Sequence, residues 1–549
     1  MAIFKPRNSS PQPIRFVEGS DVPATHLMGF EQEMALCATK SSGPVPDLEI
    51  LLKKLCEIAE ESLIHLRGFG DSGIFIANGG RLYVDCLKYE YAGPECSDPD
   101  EMVKYLLAGE RILAALASEL ARRTGLDDAG LYRCNVDYVG SATWGAHESY
   151  LTRSEPSKLS ADLIPFLAAR VITAGAGGFR PLTRTGCTFT LSPRAWHICV
   201  PMSQSSTGAG ERGIFHVKDE TLSTGYHRLH VLVGDAICSH AQNWLKFATT
   251  SIVVALADAG LHPAREMALC DPVDALREFA SDPTCKATAR AKSGRQLSAA
   301  DIQRHYLKLA RQHMHADWMP AWAAMAIEKW DAMLRQLDGA PDSVATCLDW
   351  AIKYRVFQSH IEKKGFDQKW LCNCTHLTDF LRCCLDATPS AASLSEFSPE
   401  LLLNPRGPVR KIVSQLAPFL PSRAMEWGQL ETYLKLRSEL FALDFKFGRL
   451  GEKGIFNCLD RAGVLDHRVA GIDDAQIDYA AAHPPALGRA KLRGEAIRRL
   501  HKKGSRDVSN WTSVFDSGNG MLLNLSDPFI AEEIWSKKGN PNTACNFPF

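Results

Sequence analysis

Twice in its first hundred residues the chain places polar, mostly charged groups at every second position of an otherwise apolar stretch. No other feature constrains the fold as much. In Gly29-Phe30-Glu31-Gln32-Glu33 the alternation sets Glu31 and Glu33 on one face of a strand. In Arg81-Leu82-Tyr83-Val84-Asp85 a cation, a phenol and a carboxylate share one face, with Leu82 and Val84 on the other. Such strands need a packed layer behind them and leave an acidic face in front. Helical spacing supplies the packing layer. Leu48, Leu51, Leu52, Leu55 and Ile58 mark a helix over 47–65. Val103, Leu106, Leu107, Leu113, Leu116 and Leu120 mark another over 101–123, stopped by Gly125.

The strand beginning at Arg81 is expected to run on as RLYVDCLKYEY, preceded by the turn signal Asn78-Gly79-Gly80. Further strands are expected over 186–193, 213–217 and 228–235, and helices over 162–174, 243–259 and 298–314. From Asp317 to about residue 360 the chain reads as mainly helical, with Trp318, Trp322, Met325, Trp330 and Met333 as a core stripe. Strands early and helices late indicate an α+β fold rather than a doubly wound parallel sheet. Residues 1–27, rich in Pro, Ser and Arg, read as an arm. The stretch 386–421 reads as surface loop, and 472–549 as a small C-terminal domain.

Lys and Arg number 62 against 63 Asp and Glu, so no global field would hold nucleic acid or a membrane surface. The apolar runs 163–169 and 252–257 are far too short to span a bilayer. MAIFKPRNSSPQPIRF lacks the apolar stretch of a secretory leader, so the 17 cysteines are expected as reduced thiols in a cytoplasm. Cys372, Cys374, Cys383 and Cys384, with His376 between them, lack the usual C-x-x-C zinc spacing and are expected to be free. The Gly-rich pieces 175–178 and 208–210 fit no phosphate-binding fingerprint and read as turns.

Glu31 and Glu33 side by side suggest a hard cation such as Mg²⁺ between them, against the plainer reading of a solvated strand face. Arg81 and Asp85 suggest, as the plain reading, a buried ion pair. His147 and His230, each beside strand residues, are candidate ligands or ordinary core histidines.

The order of these pieces is more specific than any one of them. GFEQE, GGRLYVDCLKYEYAGPEC, GAHESYL, KDE…YHRLHVLVGD, DIQRHY, LDWAIK and KLRGE follow one another. The succession resembles the Pup ligase and depupylase family, glutamine-synthetase-like carboxylate–amine ligases that attach or remove a small ubiquitin-like modifier. The resemblance covers 28–355 and resumes over 444–530. It implies a catalytic domain over 28–471, an antiparallel sheet cradle packed with helices, with a family-atypical insertion at about 357–439. It also implies ATP and Mg²⁺ as cofactors, a modifier ending in Glu or Gln and lysine-bearing protein targets as partners. By the same resemblance Asp85 is the catalytic carboxylate, and Glu31, Glu33, Tyr83, Glu90, His147 and His230 lie at the metal. Arg194, Lys218, Arg228 and Arg493 correspond to cations facing phosphate.

Departures cluster around this set. The family's His-Pro is here Lys88-Tyr89, its T-R-D-E-P is Val217-Lys218-Asp219-Glu220-Thr221, and its G-D-S-N-M-S-E is Gly234-Asp235-Ala236-Ile237-Cys238-Ser239-His240. An arginine replaced by Lys218 loses planar, bidentate recognition. The Asn-rich strand has Cys134 beside Asn135. Depupylases carry an additional loop between the E-x-E strand and RLYVD. The short spacing here implies the ligase branch, whereas the Asp85-to-Glu90 spacing and the GPEC ending are closer to depupylases. A ligase is expected, with a hydrolase of the same fold, or a repurposed nucleotide-binding member, as the alternative.

Overall fold

The computed structural model describes residues 26–138, 142–181, 187–204, 210–218, 223, 225–365, 427–502 and 506–537. Residues 1–25 of the arm, the cysteine cluster around His376, the basic stretch 406–411 and most of the insertion lie outside the described residues, as do Asp219, Glu220 and Thr221.

One large sheet organises the chain. Its strands are β1 (Met28–Thr39), β2 (His65–Gly68), β3 (Ile74–Ile76), β4 (Arg81–Asp85), β5 (Lys88–Ala92), β6 (Asp128–Tyr132) and β7 (Ala146–Thr152). A two-strand hairpin, β8 (Gly178–Phe179) with β9 (Phe189–Thr190), stands apart. The sheet resumes with β10 (Val200–Ser203), β11 (Gly213–His216) and β12 (His227–Val231). After a second small hairpin, β13 (Thr288–Arg290) with β14 (Gln296–Ser298), it ends with β15 (Val508–Ser509), β16 (Ser513–Asp516), β17 (Met521–Asn524) and β18 (Trp535–Lys537). The order is β10-β11-β12-β7-β1-β5-β4-β3-β2-β15-β16-β17-β18, with β6 pairing the far end of β1. Among the described residues only the β10–β11 and β2–β15 pairings of this sheet are parallel. The fold is α+β, a mainly antiparallel cradle backed by helices.

The backing layer follows from the alternation. Phe30, Met34, Tyr150, Leu229 and Val231 point away from the acidic face and join one core with the helices Pro99–Thr124 and His240–Asp258. The first helix begins at Asp98, whose side chain accepts the Glu101 N–H, and stops at Gly125 in the left-handed region (φ 63°). The second is buried on nearly every side, its polar residues Gln242, Asn243 and Lys246 included. Beneath β7, Glu148 is fully buried and accepts both guanidinium nitrogens of Arg170 (2.8 and 2.7 Å) and the Tyr150 hydroxyl (2.6 Å).

Several expectations are corrected. RLYVDCLKYEY is not one strand but the hairpin β4–β5, turning at Cys86 and Leu87, both at positive φ (46° and 62°). The helix expected over 162–174 begins earlier, as Pro156–Ala169, and breaks at Arg170 before the short helix Val171–Ala174. In the Trp/Met stripe Trp330 is fully buried, but Met325 is exposed. The Arg81–Asp85 pair does not form: Arg81 donates to the Ser72 carbonyl and stacks on Tyr83, 4.1 Å from the ring centre.

The block from Ile472 has a hydrophobic cluster of its own, formed by Leu492, Ile497, Val514, Leu523 and Leu525, but Leu66 and Phe75 from β2 and β3 complete it. Among the described residues the cysteines are free thiols, and no helix is long and apolar enough to cross a membrane.

Candidate active site

Register carries the acidic face across five strands. Glu31 lies opposite His147 on β7, and Glu33 opposite Glu90 on β5, which in turn lies opposite Tyr83 on β4. His230 on β12 lies opposite Ser149, two places from His147. Directly paired residues of antiparallel strands share a face, so Glu31, Glu33, Tyr83, Glu90, His147 and His230 line one surface of the cradle. Asp85 ends β4 on the same face and is exposed.

These residues gather into two adjoining groups. In the first, ligand atoms of Glu31, His147 and His230 lie within 4.8 Å of one another; in the second, those of Glu33, Asp85 and Glu90 do. Glu31 Oε2 faces His147 Nδ1 at 3.8 Å and His230 Nε2 at 3.6 Å, while its Oε1 accepts Arg228 (2.5 Å). Burial would raise the Glu31 carboxyl, but Arg228, His147 and His230 more than offset it and hold it well below the usual range. His230 is buried, and neither of its ring nitrogens has a hydrogen-bond partner. Burial drives its pKa well down, which favours the neutral imidazole.

The second group consists of carboxylates alone. Glu33 Oε2 accepts the Gly145 N–H (2.5 Å) and Lys88 Nζ (2.8 Å). Gly145 is required there: a Cβ would come within 2.6 Å of His147 Nε2. Glu90 is almost fully buried and pairs with the Tyr83 hydroxyl. Burial and the neighbouring Glu31 push its carboxyl well up. Three carboxylates this close repel unless a cation lies among them. The unpartnered His230 nitrogens and the oxygen-rich second group fit divalent ions. Glu31, His147 and His230 could hold one, and Glu33 and Glu90, with Tyr83 alongside, could hold another.

The four cations expected at phosphate separate. Arg228 bridges Glu31 and Ser149 Oγ (2.9 Å) at the edge of the first group. Lys218 lies just past β11, and continuing the β11–β12 register places it opposite Arg228. Arg194 is buried, donating to the Trp144 and Leu232 carbonyls (2.6 and 2.9 Å). Arg493 is fully buried, bound to the Gly79 carbonyl (3.0 Å from Nε) and to Glu95. Both therefore act in this structure on the walls of the site rather than at its open face. Sequence reasoning missed Arg212. It lies half-buried before β11, close enough to Glu33 that the carboxylate opposes the lowering of its pKa by burial. Its position beside the Gly-rich turn gave the only signal.

Next to the first group a cleft opens between β1, β7 and the C-terminal block. Leu151, Trp511 and Pro528 make it apolar, while Glu31, Arg228 and Arg489 stand at its polar edge. An apolar cleft opening onto a charged cluster has the character of a small-molecule site.

A family model described as Pup-ligase protein matches residues 18–375 and 428–515. The Pup–protein ligase 1 of Rhodococcus erythropolis is 30% identical over 470 residues, covering 83% of this chain and 87% of that protein. The Pup deamidase/depupylase of Mycolicibacterium smegmatis is 34% identical over 496 residues, covering 89% and 81%. Among solved structures, the ligase PafA in complex with Pup superimposes with a TM-score of 0.69 at 22% identity, covering 93% of this chain and 90% of that one. PafA in complex with ADP superimposes with a TM-score of 0.63 at 22% identity, covering 90% and 94%.

Proposed function

This chain belongs to the Pup-ligase family, and from that premise we propose that it is an ATP-dependent carboxylate–amine ligase. It joins the C-terminal glutamate of a small Pup-like modifier to a target lysine as an isopeptide. The observation that carries this reading is the pair of adjoining ligand groups on one face of the cradle, with Asp85 exposed at its edge.

A carboxylate does not react with an amine in water, because its oxygen is a poor leaving group. Phosphorylation by ATP converts that oxygen into one that leaves. Magnesium bound with the nucleotide supplies neutralisation of the phosphate charge. The chain's own residues do the rest. The apolar cleft at Leu151, Trp511 and Pro528 takes the nucleotide base, which aims the phosphates at the acidic groups. Arg228, held by Glu31 and Ser149, stands where the cleft meets the first group and orients phosphate oxygens. Lys218 and Arg212 are within reach from β11. Arg194 and Arg493 hold the backbone around the cradle. Asp85 takes a proton from the incoming lysine as its nitrogen attacks the acyl phosphate; an amine with an unperturbed pKa of about 10.4 needs such a base at neutral pH.

Incubating the full chain with ATP, Mg²⁺, a Pup-type modifier ending in glutamate and a lysine-bearing protein should give ADP and a lysine-linked adduct. If neither forms while nucleotide still binds, the ligase reading is wrong.

The 34% identity to a depupylase favours a second reading, hydrolysis of the same bond. A pre-formed conjugate cleaved without net ATP consumption would support it. The segment between β1 and β4 speaks for ligation: residues 40–80 are taken up by the helix Leu48–Ser62 and by β2 and β3, with no added loop of the depupylase kind.

A further inference from the structure

Lys88 sits where the proposed site would otherwise be purely acidic. It begins β5 directly opposite Asp85, and its ammonium lies 2.8 Å from Glu33 Oε2. The two carboxylates that complete this group, Asp85 and Glu90, offer oxygens within 4.8 Å of Glu33. The Glu33 side chain is 8% exposed and that of Lys88 20%, so water screens the contact poorly.

The same oxygen also accepts the Gly145 N–H. A carboxylate oxygen has two lone-pair directions, and both are taken on Glu33 Oε2. The first group differs. Glu31 Oε2 faces two imidazoles at 3.6 and 3.8 Å, and His230 has no hydrogen-bond partner on either ring nitrogen. Arg228 occupies only Oε1 of Glu31, which leaves Oε2 and both His230 nitrogens open, whereas Lys88 and the Gly145 N–H take up the Glu33 oxygen in a group made otherwise of carboxylates.

We propose that Lys88 is a resident cation of the Glu33–Asp85–Glu90 group. The chain then holds one divalent ion tightly, at Glu31, His147 and His230, and Lys88 excludes or weakens a second. This rests on the metal-site reading above and concerns the number of ions, which that reading leaves open.

The test counts Mn²⁺, an ion compatible with both imidazole and carboxylate, on the full chain without nucleotide. Free Mn²⁺ is followed by electron paramagnetic resonance. The native chain should show one tight ion. Lys88→Met, which keeps the side-chain length and removes the charge, should show a second ion or a roughly 10- to 100-fold gain in affinity for the weaker one. Lys88→Arg, which keeps the charge, should count like the native chain, and this contrast with the neutral variants is one that a purely structural lysine would not produce. Lys88→Gln serves as the second neutral variant should Lys88→Met fold poorly, which thermal unfolding reports.

Identical Mn²⁺ curves for the native chain and the neutral variants would overturn the proposal. Glu31→Gln separates that failure from failure of the underlying reading. If the native chain binds one ion and Glu31→Gln loses it, the metal site stands whatever Lys88 does. If Glu31→Gln leaves binding unchanged, both readings fall.

Discussion

At the scale of single residues the sequence identified side chains but not what each one bonds. Glu31 and Glu33 were legible as a pair because a strand sets i and i+2 on one face. That Glu31 faces histidines and Arg228 while Glu33 faces Lys88 depends on three neighbouring strands. Replacing Asp85 by Asn removes a proton acceptor with little change of volume. We expect adduct formation to fall by about 10²–10⁴-fold while nucleotide affinity, measured by calorimetry, stays near the native value. Glu95 is a residue whose role only the structure reveals. Burial alone would raise its carboxyl, but Arg493 and Arg489 overcome it and hold it at about 2. A depressed carboxyl contributes stability that is present above its unfolded value near 4.5 and lost as pH falls toward 2, here on the order of 3 kcal/mol. The stability gap between the native chain and Glu95→Gln, from urea unfolding, should therefore be widest near neutrality and close between pH 4.5 and 2.

At the scale of elements, long helices were readable because their caps and apolar spacing agree, as at Asp98, Pro99 and Gly125. The hairpin at Cys86-Leu87 was not. Two-residue turns with positive φ at both positions usually carry Asn or Gly, and this one carries neither, so nothing in RLYVDCLKYEY marks a reversal. The reversal brings Glu90 opposite Tyr83 and Lys88 opposite Asp85, so the second ligand group depends on it. Leu87→Gly relieves the left-handed conformation at some cost in unfolded-chain entropy. It should stabilise the chain by about 0.5–1 kcal/mol, seen as a higher urea midpoint with an unchanged slope. Under β7, Arg170→Met would leave Glu148 buried with its main counter-charge gone and should destabilise by about 3–5 kcal/mol in the same measurement.

At the scale of the molecule, the cradle is closed by a block more than four hundred residues away from the strands it completes. β15 adds to β2, Trp511 packs edge-on against Phe75 at 5.2 Å, and Arg493 reaches the Gly79 carbonyl next to β4. Leu523 is fully buried in that junction. Leu523→Ala should cost about 2–5 kcal/mol and also weaken nucleotide binding, because Trp511 and Arg489 line the cleft. Unchanged affinity in a folded Leu523→Ala chain would uncouple the two. The sequence by itself determined the α+β class, the acidic strand faces and the family, because alternation, helical spacing and the order of short motifs are local and survive without coordinates. The tertiary structure alone decided which carboxylate meets which cation, that Arg194 and Arg493 turn inward, and that the C-terminal block walls the cleft. Those facts depend on register and on contacts between distant segments, and neither leaves a periodic trace in the chain.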